Sequence, residues 1–247
     1  MRTIFSLVAA LMAVVTATGA EHGRENTEWI NARWYNANDN KLPRVLLIGD
    51  SICNGYHINV RDELAGTAYV TMYATSKCVT DRSYLKELKY ILEEYDYAVI
   101  HFNNGLHSLN TDPKEWEAGL RAALQLIREK GKGAKIIWAS STPLKKAELT
   151  QKARVLNAVA LRVMQENNIP VDDLFSLMDP LDRERFWTDT YHYKDEAVKL
   201  QARQVASTIR TAMAAKTASA AEARAALKGA ASETGPDGRI VTSTAGN

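Results

Sequence analysis

The stretch Val45-Leu46-Leu47-Ile48-Gly49-Asp50-Ser51 decides the fold class. Four consecutive apolar, mostly branched residues end abruptly in Gly-Asp-Ser. An uninterrupted run of this kind predicts a strand covered on both faces, because a strand with one wet face alternates apolar with polar. Similar runs recur at Tyr69 to Tyr73, Tyr97 to Phe102 and Ile136 to Ala139, with a shorter one around Ile169 to Val171.

The segments between them carry helical periodicity. Trp116, Leu120, Ala123, Leu124 and Ile127 share one face, and Gly131 and Gly133 supply a stop. Leu156, Val159, Ala160 and Val163 form a second stripe; Val198, Ala202, Val205, Ile209 and Met213 form a third. Such stripes are core faces. Strands alternating with helices imply an α/β fold, a three-layer α/β/α sandwich around a mainly parallel five-stranded sheet. Sheets of that kind bind ligands at the carboxyl ends of their strands.

The 247 residues, 46% hydrophobic and 24% charged, suit one globular domain with a substantial core. Thirty-one basic residues against 29 acidic ones leave a net charge of +2 with no basic footprint for nucleic acid or an anionic membrane. Met1-Arg2, the apolar stretch Ile4 to Val15 and Thr18-Gly19-Ala20 read as a signal peptide over residues 1–20. The apolar stretch is shorter than the roughly 20 residues that span a bilayer, so cleavage and a secreted or periplasmic location are expected rather than membrane insertion. Residues 21–43 read as an extension packing on the domain, 44–216 as the domain, and 217–247, rich in Ala, Ser, Thr and Gly, as a possible exposed helix and then a disordered tail.

Polar residues stand out in three places. Gly49-Asp50-Ser51 follows the first strand, Asn103-Asn104-Gly105-Leu106-His107 follows the third, and Asp189-Thr190-Tyr191-His192 precedes the last helix. Singly they read as a helix cap, a turn and a surface pair. Together they fit nucleophilic catalysis. A serine hydroxyl needs a histidine base and a group to orient it, which Ser51, His192 and Asp189 supply. Developing charge on a substrate oxygen needs donors, for which the Ser51 N–H and the Asn103 side chain are suited. No metal-ligand spacing of the zinc type occurs, and no cofactor is expected.

In order and approximate spacing these blocks, from Arg44 to Lys216, resemble the SGNH (GDSL-like) hydrolase superfamily. Its motifs are Gly-Asp-Ser after the first strand, a glycine in block two, Gly-x-Asn-Asp in block three and Asp-x-x-His near the C-terminus. The resemblance implies a flavodoxin-like SGNH fold, Ser51 as nucleophile, Asp189 and His192 as its partners, and Asn103 in the oxyanion hole. The stretch from Val99 to His107 looks like an exported subgroup found among bacterial carbohydrate-degrading enzymes. An esterase acting on acetylated carbohydrate is therefore expected, a monomer acting on a small-molecule or oligosaccharide ester. A lipid or aryl ester hydrolase and a catalytically silent carbohydrate-binding relative are the alternatives.

Two departures stand out. No glycine lies between Gly66 and Gly105, so block two, Ser76-Lys77-Cys78-Val79-Thr80, would have to donate from the backbone of Lys77 or Cys78. Asn104 stands where the family has aspartate. The two cysteines, Cys53 and Cys78, are an even count that permits a disulfide in an exported protein, against the alternative of two buried thiols. A Cys53–Cys78 bond would tie the block-two loop to the nucleophile loop. Substrate contacts are assigned to Asn104, His107, Trp187 and Tyr191, the last two as a stacking platform that Trp34 would extend; packing at the domain edge is the plainer role for Trp187 and Trp34.

Overall fold

The computed structural model describes residues 26–233; the expected leader, residues 1–20, and the tail beyond 233 lie outside them. Six strands form one sheet: β1 (Ile30–Trp34), β2 (Arg44–Gly49), β3 (Tyr69–Thr75), β4 (Val99–Phe102), β5 (Lys135–Ala139) and β6 (Val171–Asp172). Their order is β1-β3-β2-β4-β5-β6. All neighbours are parallel except β1, which runs antiparallel to β3. The helices are α1 (Ser51–Glu63), α2 (Tyr84–Glu94), α3 (Pro113–Lys130), α4 (Ala147–Glu166), α5 (Leu174–Met178), α6 (Arg183–Phe186) and α7 (Asp195–Glu233). The last continues past the expected domain boundary at 216.

The continuous apolar run is buried on both faces as its composition requires, with every residue of β2 shielded from solvent. Val45 and Leu47 pack with residues of α1, α5, α6 and α7, whereas Leu46 and Ile48 pack with residues of α2, α3 and α4. Side chains alternate across a strand, so one run feeds two cores. Trp138 anchors the second, with Phe102 at 5.1 Å and Trp116 at 6.3 Å between ring centroids.

The sheet has a sixth strand where five were expected. β1 comes from the extension, pairing Ile30 with Thr75 and Trp34 with Thr71. Its composition concealed it: an edge strand needs one covered face, and here Ala32 and Trp34 pack inward while Asn31 and Arg33 stand between them. The buried Arg44 ties the extension down, donating to Tyr35 O at 2.7 Å and Asn36 O at 2.8 Å and lying 4.3 Å above the Tyr95 ring. The last strand also starts later than its apolar run, after Pro170, which has no N–H to give a ladder. Among the described residues no helix is long and apolar enough to cross a membrane.

Candidate active site

Parallel strands all end on one rim, and the chemistry-bearing loops meet there. β2 delivers Asp50 and Ser51 to the start of α1. Asp50 is the cap, accepting the Ile52 N–H at 2.9 Å through Oδ1, which places Ser51 in the first helical turn. The turn is tight. A Cβ on Gly49 would lie 2.6 Å from Cys53 Cβ, so only glycine lets the helix fold back so close to the strand.

His192 arrives from the opposite end of the chain. Its Nε2 lies 2.8 Å from Ser51 Oγ, and its Nδ1 lies 2.8 Å from Asp189 Oδ2. Asp189 Oδ1 also accepts the backbone N–H groups of Tyr191 and His192, both at 2.8 Å. Burial pushes the Asp189 carboxyl up, but the His192 N–H, the imidazole and the Tyr191 N–H outweigh it and hold the group down at about 2. An ionised carboxylate at Nδ1 demands a donor there. The neutral ring therefore carries its proton on Nδ1 and turns the Nε2 lone pair toward the serine.

The loop carrying this pair is braced from beneath. Trp187 and Tyr193 form an antiparallel bridge, their rings 4.5 Å apart, and Arg183 lies 4.4 Å above the indole. Trp187 is 1% exposed, so its expected role as a sugar platform is corrected: the indole is core packing under the loop of Asp189 and His192. Trp34 likewise faces the core, its indole nitrogen buried. Tyr191, 42% exposed and 6.4 Å from the His192 ring, stands at the mouth of the site. His107 is half-buried with its ring edge-on to Trp29 at 6.1 Å.

Asn103 and Asn104 divide differently from expectation. Asn104 is buried, and its amide bridges two loops, donating to Lys77 O at 2.8 Å and accepting from Val79 N and Ser108 Oγ. It has no surface to offer a substrate, which corrects its assignment. The same bonds explain why asparagine stands here in place of aspartate: a carboxylate has no hydrogen to give the Lys77 carbonyl. Asn103 Nδ2 donates to Ala139 O at 2.7 Å and to Ser141 Oγ at 3.2 Å.

Block two supplies neither of its expected donors. The Lys77 N–H is taken by Thr75 Oγ1 at 3.2 Å and the Cys78 N–H by Asp81 Oδ2 at 2.8 Å. The Lys77 ammonium is buried between Glu28 and Glu87. The expected disulfide is also corrected, since Cys53 and Cys78 are both free and buried. Cys53 lies in the core beneath α1 and Cys78 in the core on the other face, so the sheet stands between them. Cys78 Sγ accepts instead from Ser108 Oγ at 2.9 Å and Thr80 Oγ1 at 3.1 Å. Burial raises the Cys53 thiol far above its ordinary range. Native protein should therefore leave an aromatic disulfide reagent unreduced, and denatured protein should release two equivalents of chromophore; one disulfide found by mass spectrometry would contradict the structure.

The loop after β5, which sequence reading passed over, completes the rim. Lys145 N–H donates to Thr190 O at 2.9 Å and Tyr193 Oη donates to Pro143 O, stitching this loop to the histidine loop. Asn157 of α4 clamps Ser141 by both backbone groups, each at 2.8 Å. The signal was the polar Ser140-Ser141-Thr142 directly after an apolar run, the same pattern that marks the other loops.

Other solved structures share this arrangement of elements. The acetyl xylan esterase AlAXEase superposes with a TM-score of 0.59 at 16% identity, covering 67% of this chain and 99% of its own. A GDSL-like lipase from Bacteroides thetaiotaomicron gives 0.57 at 15%, covering 68% and 88%. Axe2, an acetylxylan esterase from Geobacillus stearothermophilus, gives 0.54 at 18%, covering 66% and 92%. The chain has the SGNH hydrolase fold. No protein-family sequence model and no curated protein sequence matches it. Within the SGNH fold, the turn after β2 and the loop between α6 and α7 bring Ser51, His192 and Asp189 together.

Proposed function

We propose that this chain is a serine esterase, exported under its leader, that removes acetyl groups from carbohydrate. One observation carries the reading: Ser51 Oγ, the His192 ring and Asp189 Oδ2 stand in line, with 2.8 Å on each side of the imidazole. In the reaction Ser51 Oγ bonds to the ester carbonyl carbon while its proton passes to His192 Nε2. The imidazolium returns that proton to the departing sugar oxygen as the tetrahedral adduct collapses. Water, deprotonated by the same nitrogen, then releases acetate and restores the serine.

Two structures of the same fold are acetylxylan esterases. Tyr191, exposed at the mouth, offers an aromatic face of the kind sugars pack against. The test is acetate release from a panel of acetylated glycans beside 4-nitrophenyl esters of increasing chain length. Acetate from glycans and a steep fall in rate beyond short acyl chains are expected; preference for long-chain esters would overturn the carbohydrate reading.

A further inference from the structure

The oxyanion hole expected from the family motifs is short of donors in this chain. Both block-two N–H groups are spent on Thr75 and Asp81, and both hydrogens of the Asn103 amide are spent on Ala139 O and Ser141 Oγ. What remains is the Ser51 N–H, an orphan donor in the first turn of α1, where the helix dipole also favours negative charge. One donor is a poor match for an oxygen that takes a full charge in the transition state.

Ser141 holds the missing hydrogen. Its Oγ accepts from Asn103 Nδ2, yet its own O–H meets no acceptor among the described residues, although Ser141 is only 3% exposed. Buried hydroxyls ordinarily satisfy their hydrogen. Its place in the chain of contacts is also suggestive. Asn103 N–H bonds to Ile48 O on the strand that feeds Ser51, and the loop after Ser141 bonds to the loop that carries His192. Ser141 therefore belongs to the stretch of rim between the strand that feeds Ser51 and the loop that carries His192, and it lines the small cavity flanked by Asp50 and Ile52. The fold has made room for it: a Cβ on Gly105 would fall 1.7 Å from Ser141 Oγ, so the hydroxyl occupies space that only a glycine leaves open. Asn157 fixes its backbone from behind.

We propose that Ser141 is a catalytic residue of this site: its hydroxyl, polarised by the Asn103 amide, is the second donor to the oxyanion. Asn103 then acts through Ser141 rather than on the substrate directly. An amide that donates to a hydroxyl oxygen strengthens that hydroxyl as a donor, so the two groups work as one unit. This assignment rests on the esterase reading above.

A double-mutant cycle on 4-nitrophenyl acetate hydrolysis tests it, with Ser141→Ala, Asn103→Ala and the pair, each checked by thermal melting. Ser141→Ala should lower kcat on the order of 10²-fold with KM little changed, the usual loss for one oxyanion donor. The double variant should be no slower than Asn103→Ala alone, because a unit broken once loses nothing further. Ser141→Ala turning over as fast as wild type, or two losses that multiply, would overturn the proposal while leaving the esterase reading intact. Wild-type protein silent toward every ester would overturn both.

Discussion

Replacing Ser51 by alanine should reduce ester hydrolysis by a factor on the order of 10⁴ or more while leaving the melting temperature within a few degrees of wild type. The two halves of this expectation come from different features. Chemically, the hydroxyl is the only atom removed, and it is the atom facing His192 Nε2 at 2.8 Å. Structurally, Ser51 caps nothing; the cap of α1 is Asp50, whose carboxylate holds the Ile52 N–H, and that contact is untouched. Any rate that survives should be the small contribution of ester binding and of the oxyanion donors, which this substitution leaves in place. Hydrolysis by Ser51→Ala at more than a few per cent of wild type, measured on protein free of contaminating esterase, would remove the nucleophile from the mechanism.

The second large effect concerns Asp189. The Asp189→Asn variant should lose about 10²- to 10⁴-fold in kcat, because an amide facing Nδ1 admits the wrong tautomer and cannot stabilise the imidazolium. The pH dependence separates the two groups. Asp189 is held at about 2, so it stays ionised through the whole range in which enzymes are assayed. The sign follows: a carboxyl lowered in the folded protein adds stability above the unfolded value near 4, and that stability is lost only as pH falls through about 2. Loss of activity in mild acid is expected from protonating the imidazole, which then cannot accept the Ser51 proton. A kcat/KM profile should fall toward acid pH with one proton per molecule. A profile flat from neutral into mild acid would exclude His192 as base.

Much of this fold could be read from runs and stripes. The four long strands and the helical faces of Trp116 to Ile127 and Val198 to Ile209 are dictated by burial, and burial leaves a periodic trace. Residue type and order along the chain also pointed to Ser51, Asp189 and His192, which the fold brings together with 2.8 Å on each side of the imidazole. What escaped notice shares a physical cause: it depends on which neighbour lies across space. β1 escaped because Ile30-Asn31-Ala32-Arg33-Trp34 is a short alternation in a polar segment, without the continuous apolar run that marks the central strands. Cys53 and Cys78 do not pair because they pack on opposite faces of the sheet, which their spacing along the chain does not reveal. Trp187 looked like a platform from its position beside Asp189, but an aromatic that braces a loop and one that faces solvent are alike in sequence. Ser141 was missed since its role depends on the Asn103 amide, 38 positions away.

The central claim is that Ser51 is made reactive by His192 at the rim of this sheet. Labelling with an alkyl fluorophosphonate, followed by peptide mapping, examines that claim without any assumption about the natural ester. The expected result is a single adduct on the peptide bearing Ser51, formed rapidly in wild-type protein and slowed by orders of magnitude in His192→Ala. An unlabelled Ser51, an adduct on another serine, or equal labelling with and without His192 would contradict it.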